Sequence, residues 1–84
     1  MNHFAAPRFW RAYEVLPVQV RELADKAYKL LRTNPKHSSL QLKRIGKLWS
    51  VRVGIHYRAL GTDVDGDILW IWIGTHADYD KLIR

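Results

Sequence analysis

The chain has 84 residues, with 14 Lys+Arg against 8 Asp+Glu and a formal net charge of +6. That length suits one small domain, taken here as 1–84, and the lack of cysteine excludes disulfides, thiolate metal sites and a catalytic thiol. A hydrophobic content of 48% is too high for a disordered chain, and no apolar run approaches the ~20 residues that span a membrane.

Pro7 fits the first turn of a short helix, where its missing N–H costs nothing, and Phe9, Trp10 and Tyr13 follow at helical spacing. Leu16-Pro17 breaks that helix and starts another. From Val18 to Leu31 the apolar positions Val20, Leu23, Ala24, Ala27, Leu30 and Leu31 recur every three or four residues, so one face is buried. Glu22 with Lys26 and Asp25 with Lys29 pair on the other face. Thr33-Asn34-Pro35 ends the helix, because a residue before proline avoids the helical region. The two helices are expected to form an antiparallel hairpin.

Beyond Pro35 the period changes. Leu40 and Leu42 alternate with Gln41 and Lys43, which predicts a strand running into Gly46-Lys47. Trp49, Val51, Val53, Ile55, Tyr57 and Ala59 then hold one parity, and Ser50, Arg52, Gly54, His56 and Arg58 the other. Such alternation predicts one long strand with a buried and a polar face, with Gly54 placed to introduce a bulge. Thr62 to Asp67 is a turn in which Asp65-Gly66 suits a tight hairpin. Its acids imitate a calcium loop, but the glycine stands too early and Gly74 occupies the closing position. Ile68 to Ile73 is an apolar run that predicts a central strand, and a short polar or helical tail follows His76. Helices first and strands after predict an α+β fold: a helical hairpin on one face of a three- to four-stranded, mainly antiparallel sheet.

The charge is uneven. Residues 26 to 62 hold nine Lys/Arg and no acid, whereas residues 63 to 84 hold five acids and two bases. A basic block of this kind points to a polyanionic partner; the bland reading is a solvated surface. Arg52 and Arg58 share a parity and lie roughly 20 Å apart on an ideal strand, so they form no single clamp there. Together with Lys43 and Arg44 they suit a phosphate backbone, or else they pair with acids such as Asp78 or Asp80. His76 stands where the central strand ends, on the parity of Trp70 and Trp72, and can move a proton near neutral pH. His56 shares the polar face of the arginines. The two tryptophans read first as core and second as stacking surfaces for bases. Tyr79 is placed to stack on a base, assist proton transfer or anchor the tail. No histidine pair has metal-ligand spacing, and there is no Gly-rich phosphate loop or serine-triad signature.

In this order, FWRAYEVLPVQVRELADKAYKLLRTNP, SLQLKRIG, WSVRVGIHYRAL and ILWIWIGTHADYDKLI resemble the RelE/ParE family of bacterial type II toxins over about residues 7 to 83. The resemblance implies a RelE-like fold and a cytoplasmic toxin of a toxin–antitoxin system that cuts mRNA on the ribosome, with no cofactor or metal. It implies catalytic roles for Arg52, Arg58 and His76. Arg58 corresponds to the family's arginine in the YR pair, and His76 to its arginine or histidine near the C-terminus. RNA-binding roles fall to Lys43, Arg44, Lys47, His56 and Tyr79. An antitoxin partner in a hetero-oligomer is implied, and no membrane. The alternatives are a ParE-like DNA gyrase inhibitor, or an inactive member that only binds an antitoxin or nucleic acid. Three departures stand out. Only Asn2 to Ala5 is available for the family's usual first strand. No acid between 26 and 62 can serve as base, leaving a deprotonated lysine, His56 or an acid of the tail. The family's C-terminal tyrosine falls further along than Tyr79.

Overall fold

The structure is a computed structural model and describes residues 2–83. Three helices and five strands follow the order β1 (His3–Ala5), α1 (Pro7–Glu14), α2 (Val18–Thr33), β2 (Lys43–Ile45), β3 (Leu48–Val53), β4 (Tyr57–Val64), β5 (Asp67–Thr75) and α3 (His76–Leu82). The punctuation is as expected. Pro7 occupies the first turn of α1 and Pro17 caps α2, which stops at Thr33 before Asn34-Pro35.

The sheet has five strands, in the order β1-β5-β4-β3-β2, rather than three or four. The additional strand is β1, the first strand that had only Asn2 to Ala5 available. It runs parallel to β5, with Phe4 opposite Leu69, while every other pairing is antiparallel. The segment expected to be a strand from Leu40 begins instead as a 3-10 turn, Ser38–Leu40, and pairs only over Lys43–Ile45.

Between Trp49 and Ala59 the single long strand is in fact a hairpin. The chain reverses at Gly54–His56, with Gly54 at φ +62, and Val53 lies opposite Tyr57. At the next hairpin Asp65 and Gly66 both have positive φ, +52 and +87, as a tight Asp-Gly turn requires.

Both long helices cover one sheet face. Leu16, Val20 and Leu31 pack there on Val51, Val53, Ala59, Trp70 and Ile73, and Tyr13 Oη donates to Asp25 Oδ1 at 2.9 Å, tying α1 to α2. Gly61 is required beneath this core. A Cβ there would meet Ile68 Cγ2 at 2.5 Å and Trp70 Cε3 at 2.9 Å. Between β4 and β5 the register slips by one residue: Leu60 faces Trp72 and Gly61 faces Trp70, leaving Ile71 unpaired. The bulge turns Trp70 into the core and Trp72 to the opposite face, so the two tryptophans do not share a side. Among the described residues no helix is long and apolar enough to cross a membrane.

Candidate functional site

The second sheet face carries the polar parity of the β3–β4 hairpin. Directly opposed residues in an antiparallel pair project from the same face. Arg52 is the partner of Arg58, Ser50 of Leu60, Arg58 of Gly74 and Leu60 of Trp72. The two arginines are therefore cross-strand neighbours and not the ends of a ~20 Å line. The turn at Gly54–His56 brings them together.

Arg58 is 3% exposed. Its Nε donates to Ser50 Oγ at 2.8 Å and its Nη2 to the carbonyl of Gln41 at 3.2 Å. Gln41 holds a left-handed backbone, φ 44, in the link between the 3-10 turn and β2. α3 then closes over the site: the guanidinium carbon of Arg58 sits 5.1 Å from the centre of the Tyr79 ring. Tyr79 is 1% exposed, and its Oη has no hydrogen-bond partner among the described residues. With its ring against Arg58, Tyr79 orients that arginine and does not offer an open stacking platform.

The electrostatics are unusual for a structural arginine. Burial lowers the pKa of Arg58 and the Arg52 charge pushes the same way, while Tyr79 and Asp80 oppose the shift. Neither arginine forms an ion pair among the described residues, and the half-buried Arg52 has an Nε with no partner. Like charges directly opposed on a sheet destabilise it, and buried charges are ordinarily paired. The pair is a place where an anion relieves the field.

His76 is the exposed first residue of α3. Its backbone N–H donates at 2.8 Å to the carbonyl of His56, in the exposed β3–β4 turn. Its Nε2 lies 3.6 Å from Asp80 Oδ2 and its ring 5.7 Å from that of Tyr79. Thr75 fixes the start of the helix by accepting from the N–H of Asp78 at 3.1 Å. Two histidines and a carboxylate thus stand at the end of the sheet where the arginines lie.

The other basic residues divide. Lys43 is opposite Ser50 and so shares the arginine face. Arg44 does not join it. It pairs with Asp63 at 2.9 Å, donates to the carbonyl of Gly46 and lies over Trp49, 5.3 Å from the ring centre. Lys47 is exposed at the opposite end of β3. Sequence reasoning passed over Ser50 and Gln41. Ser50 carried a signal as a small hydroxyl on the arginine parity, but the Gln41 contact uses a backbone carbonyl and leaves none. No cluster of His, Asp or Glu among the described residues has the make-up of a metal site.

A family model described as the ParE-like toxin domain matches residues 18–81. The fold is similar to RelE of the RelB–RelE antitoxin–toxin complex of Methanococcus jannaschii, with a TM-score of 0.72 and 14% identity over 96% of this chain and 99% of that one. YafQ of Escherichia coli BL21(DE3) gives 0.70 and 14%, covering 93% and 96%. The isolated E. coli RelE toxin gives 0.64 and 16%, covering 99% and 98%. No curated protein sequence matches the chain.

Proposed function

The chain belongs to the RelE/ParE family of toxins, and from that premise we propose that it is the toxin of a type II toxin–antitoxin system and cuts mRNA on the ribosome. The observation that carries this reading is the uncompensated Arg52–Arg58 pair, with Arg58 buried and held by Ser50, Gln41 and Tyr79.

In the reaction the ribose 2′-oxygen attacks the adjacent phosphorus. The bond from phosphorus to the 5′-oxygen breaks, leaving a 2′,3′-cyclic phosphate and a new 5′-hydroxyl. Negative charge gathers on the phosphoryl oxygens, and fixed guanidinium groups stabilise it most when they need not reorganise. Arg58 is pre-set in this way, and Arg52 supplies the second cation. His76 gives its proton to the departing 5′-oxygen, and Asp80 Oδ2 stands 3.6 Å from its Nε2. The 2′-hydroxyl proton leaves to His56 or Asp80, the acceptors at this end of the sheet. Lys43 on the same face, and Lys47 at the far end of β3, follow the backbone of mRNA or rRNA.

The antitoxin is a second protein, as in the RelB–RelE complexes of similar fold. Mapping RNA 5′ ends after brief expression tests the reading. New ends within reading frames are expected, and Arg58→Ala or His76→Ala relieves growth arrest. Intact mRNA during full arrest overturns it. The ParE-like description of the family model favours one alternative, inhibition of DNA gyrase. DNA breaks with normal mRNA, and full toxicity of His76→Ala, would establish that alternative.

A further inference from the structure

The four tryptophans occupy four different environments. Trp70 is in the core and donates from Nε1 to His3 Nδ1 at 3.2 Å. Trp49 lies beneath Arg44 on the helix-covered side. Trp10 is exposed on α1. Trp72 alone stands on the arginine face, where the bulge at Ile71 puts it opposite Leu60.

The indole of Trp72 does not stand upright. A Cβ at Gly74 would collide with its Cζ2 and would meet Cη2 at 2.9 Å and Cε2 at 3.1 Å. The six-membered ring therefore lies down across the glycine. Gly74 is the direct cross-strand partner of Arg58, so the ring reaches the position beside that arginine. Trp72 is half-buried. A planar aromatic surface and an unpaired cation pair thus adjoin on one face.

A base and a phosphate hang from the same sugar of a nucleotide, and every base has a π face that stacks on an aromatic side chain. We propose that Trp72 is the stacking platform for an unpaired base next to the phosphate held by Arg52 and Arg58. The inference rests on the ribonuclease reading and names the part of that site that grips the base. Gly74 belongs to the same device, because any side chain there lifts the indole off the sheet.

The test is a cycle of two protein forms against two templates. Ribosomes are programmed with a short mRNA that is either intact or abasic at one of the two nucleotides flanking the cut. Single-turnover cleavage is then measured with purified full-length chain. For the parent chain, removing the base slows cleavage by about 5- to 150-fold, the range expected from one base–aromatic stack. Trp72→Leu keeps apolar bulk on the sheet without a π face, and its slower cleavage is the same on both templates. Trp72→Phe retains part of the dependence on the base. An equal cost of the abasic site in the parent chain and in Trp72→Leu overturns the platform and leaves the ribonuclease reading standing. A parent chain that leaves the intact template uncut overturns both.

Discussion

Replacing Arg58 by methionine separates an anion site from a structural arginine. Two of the five N–H donors of Arg58 go to Ser50 Oγ and the Gln41 carbonyl, which leaves three, and the Arg52 Nε has no partner. A tetrahedral dianion on these groups gains charge-assisted hydrogen bonds worth about 1.5–3 kcal/mol each. Two such bonds correspond to a Kd between about 40 µM and 6 mM. At the weak end, about 100 mM sulfate stabilises the folded chain by about 1.7 kcal/mol through linkage. For a domain of this size that raises Tm by about 7–14 °C. The assay is thermal unfolding in sulfate against chloride at matched ionic strength, for the parent chain, Arg58→Met and Arg52→Met. General salting-in and salting-out effects act on all three alike, so the difference between them is the readout. Each variant is expected to lose most of the sulfate-specific shift. The same shift in all three chains would refute the reasoning, since the two cations would then be structural only.

Other outcomes follow from single contacts. Gly61→Ala drives a methyl into Ile68 and Trp70; it costs about 1–3 kcal/mol and lowers Tm by about 4–24 °C in calorimetry. Ser50→Ala removes the acceptor of Arg58 Nε. It costs about 1.5–3 kcal/mol of stability by denaturant titration, while single-turnover cleavage on programmed ribosomes falls about tenfold or more because Arg58 loses its orientation. The His3 pKa is lowered by burial, with the N-terminal charge and Arg32 adding to the effect and Asp67 opposing it. Folded His3 is therefore neutral where the unfolded chain binds a proton. Its contribution is full above the ordinary histidine value of 6.5 and is lost as pH falls below it toward the lowered folded value. His3→Gln flattens this part of the stability–pH profile, measured by chemical denaturation.

Much of this architecture is legible in the residues. The three- and four-residue spacing of α2, the stops at Pro17 and Pro35 and the Asp65-Gly66 hairpin follow from local rules alone. The β3–β4 hairpin is hidden for a definite reason. Opposed residues there sum to an even number, as in Arg52↔Arg58 and Val53↔Tyr57, so odd positions face the core on both strands. The alternation passes through the turn unbroken and mimics one long strand. β1 is only three residues long and shows no period. The side taken by Trp72 depends on a bulge that only the pairing with β4 reveals. Arg52, Arg58 and His76 were visible as charge and titration, but their company was not. Ser50 and the carbonyl of Gln41 became partners through tertiary placement.

The pairing of β1 with β5 sets an order of assembly. β2, β3, β4 and β5 are neighbours in sequence and join through short turns, so each closes a small loop. His3–Ala5, made first, has no strand to pair with until Ile68–Trp70 exist. The backbone N–H of Asn2 also waits for the carboxylate of Asp67, 2.8 Å away. Contacts at this sequence separation carry the largest entropic delay in folding. Tyr79, which completes the enclosure of Arg58, arrives later still in the chain. The site is therefore finished by the helix that follows β5, and a nascent chain halted before residue 76 holds both arginines without their cover.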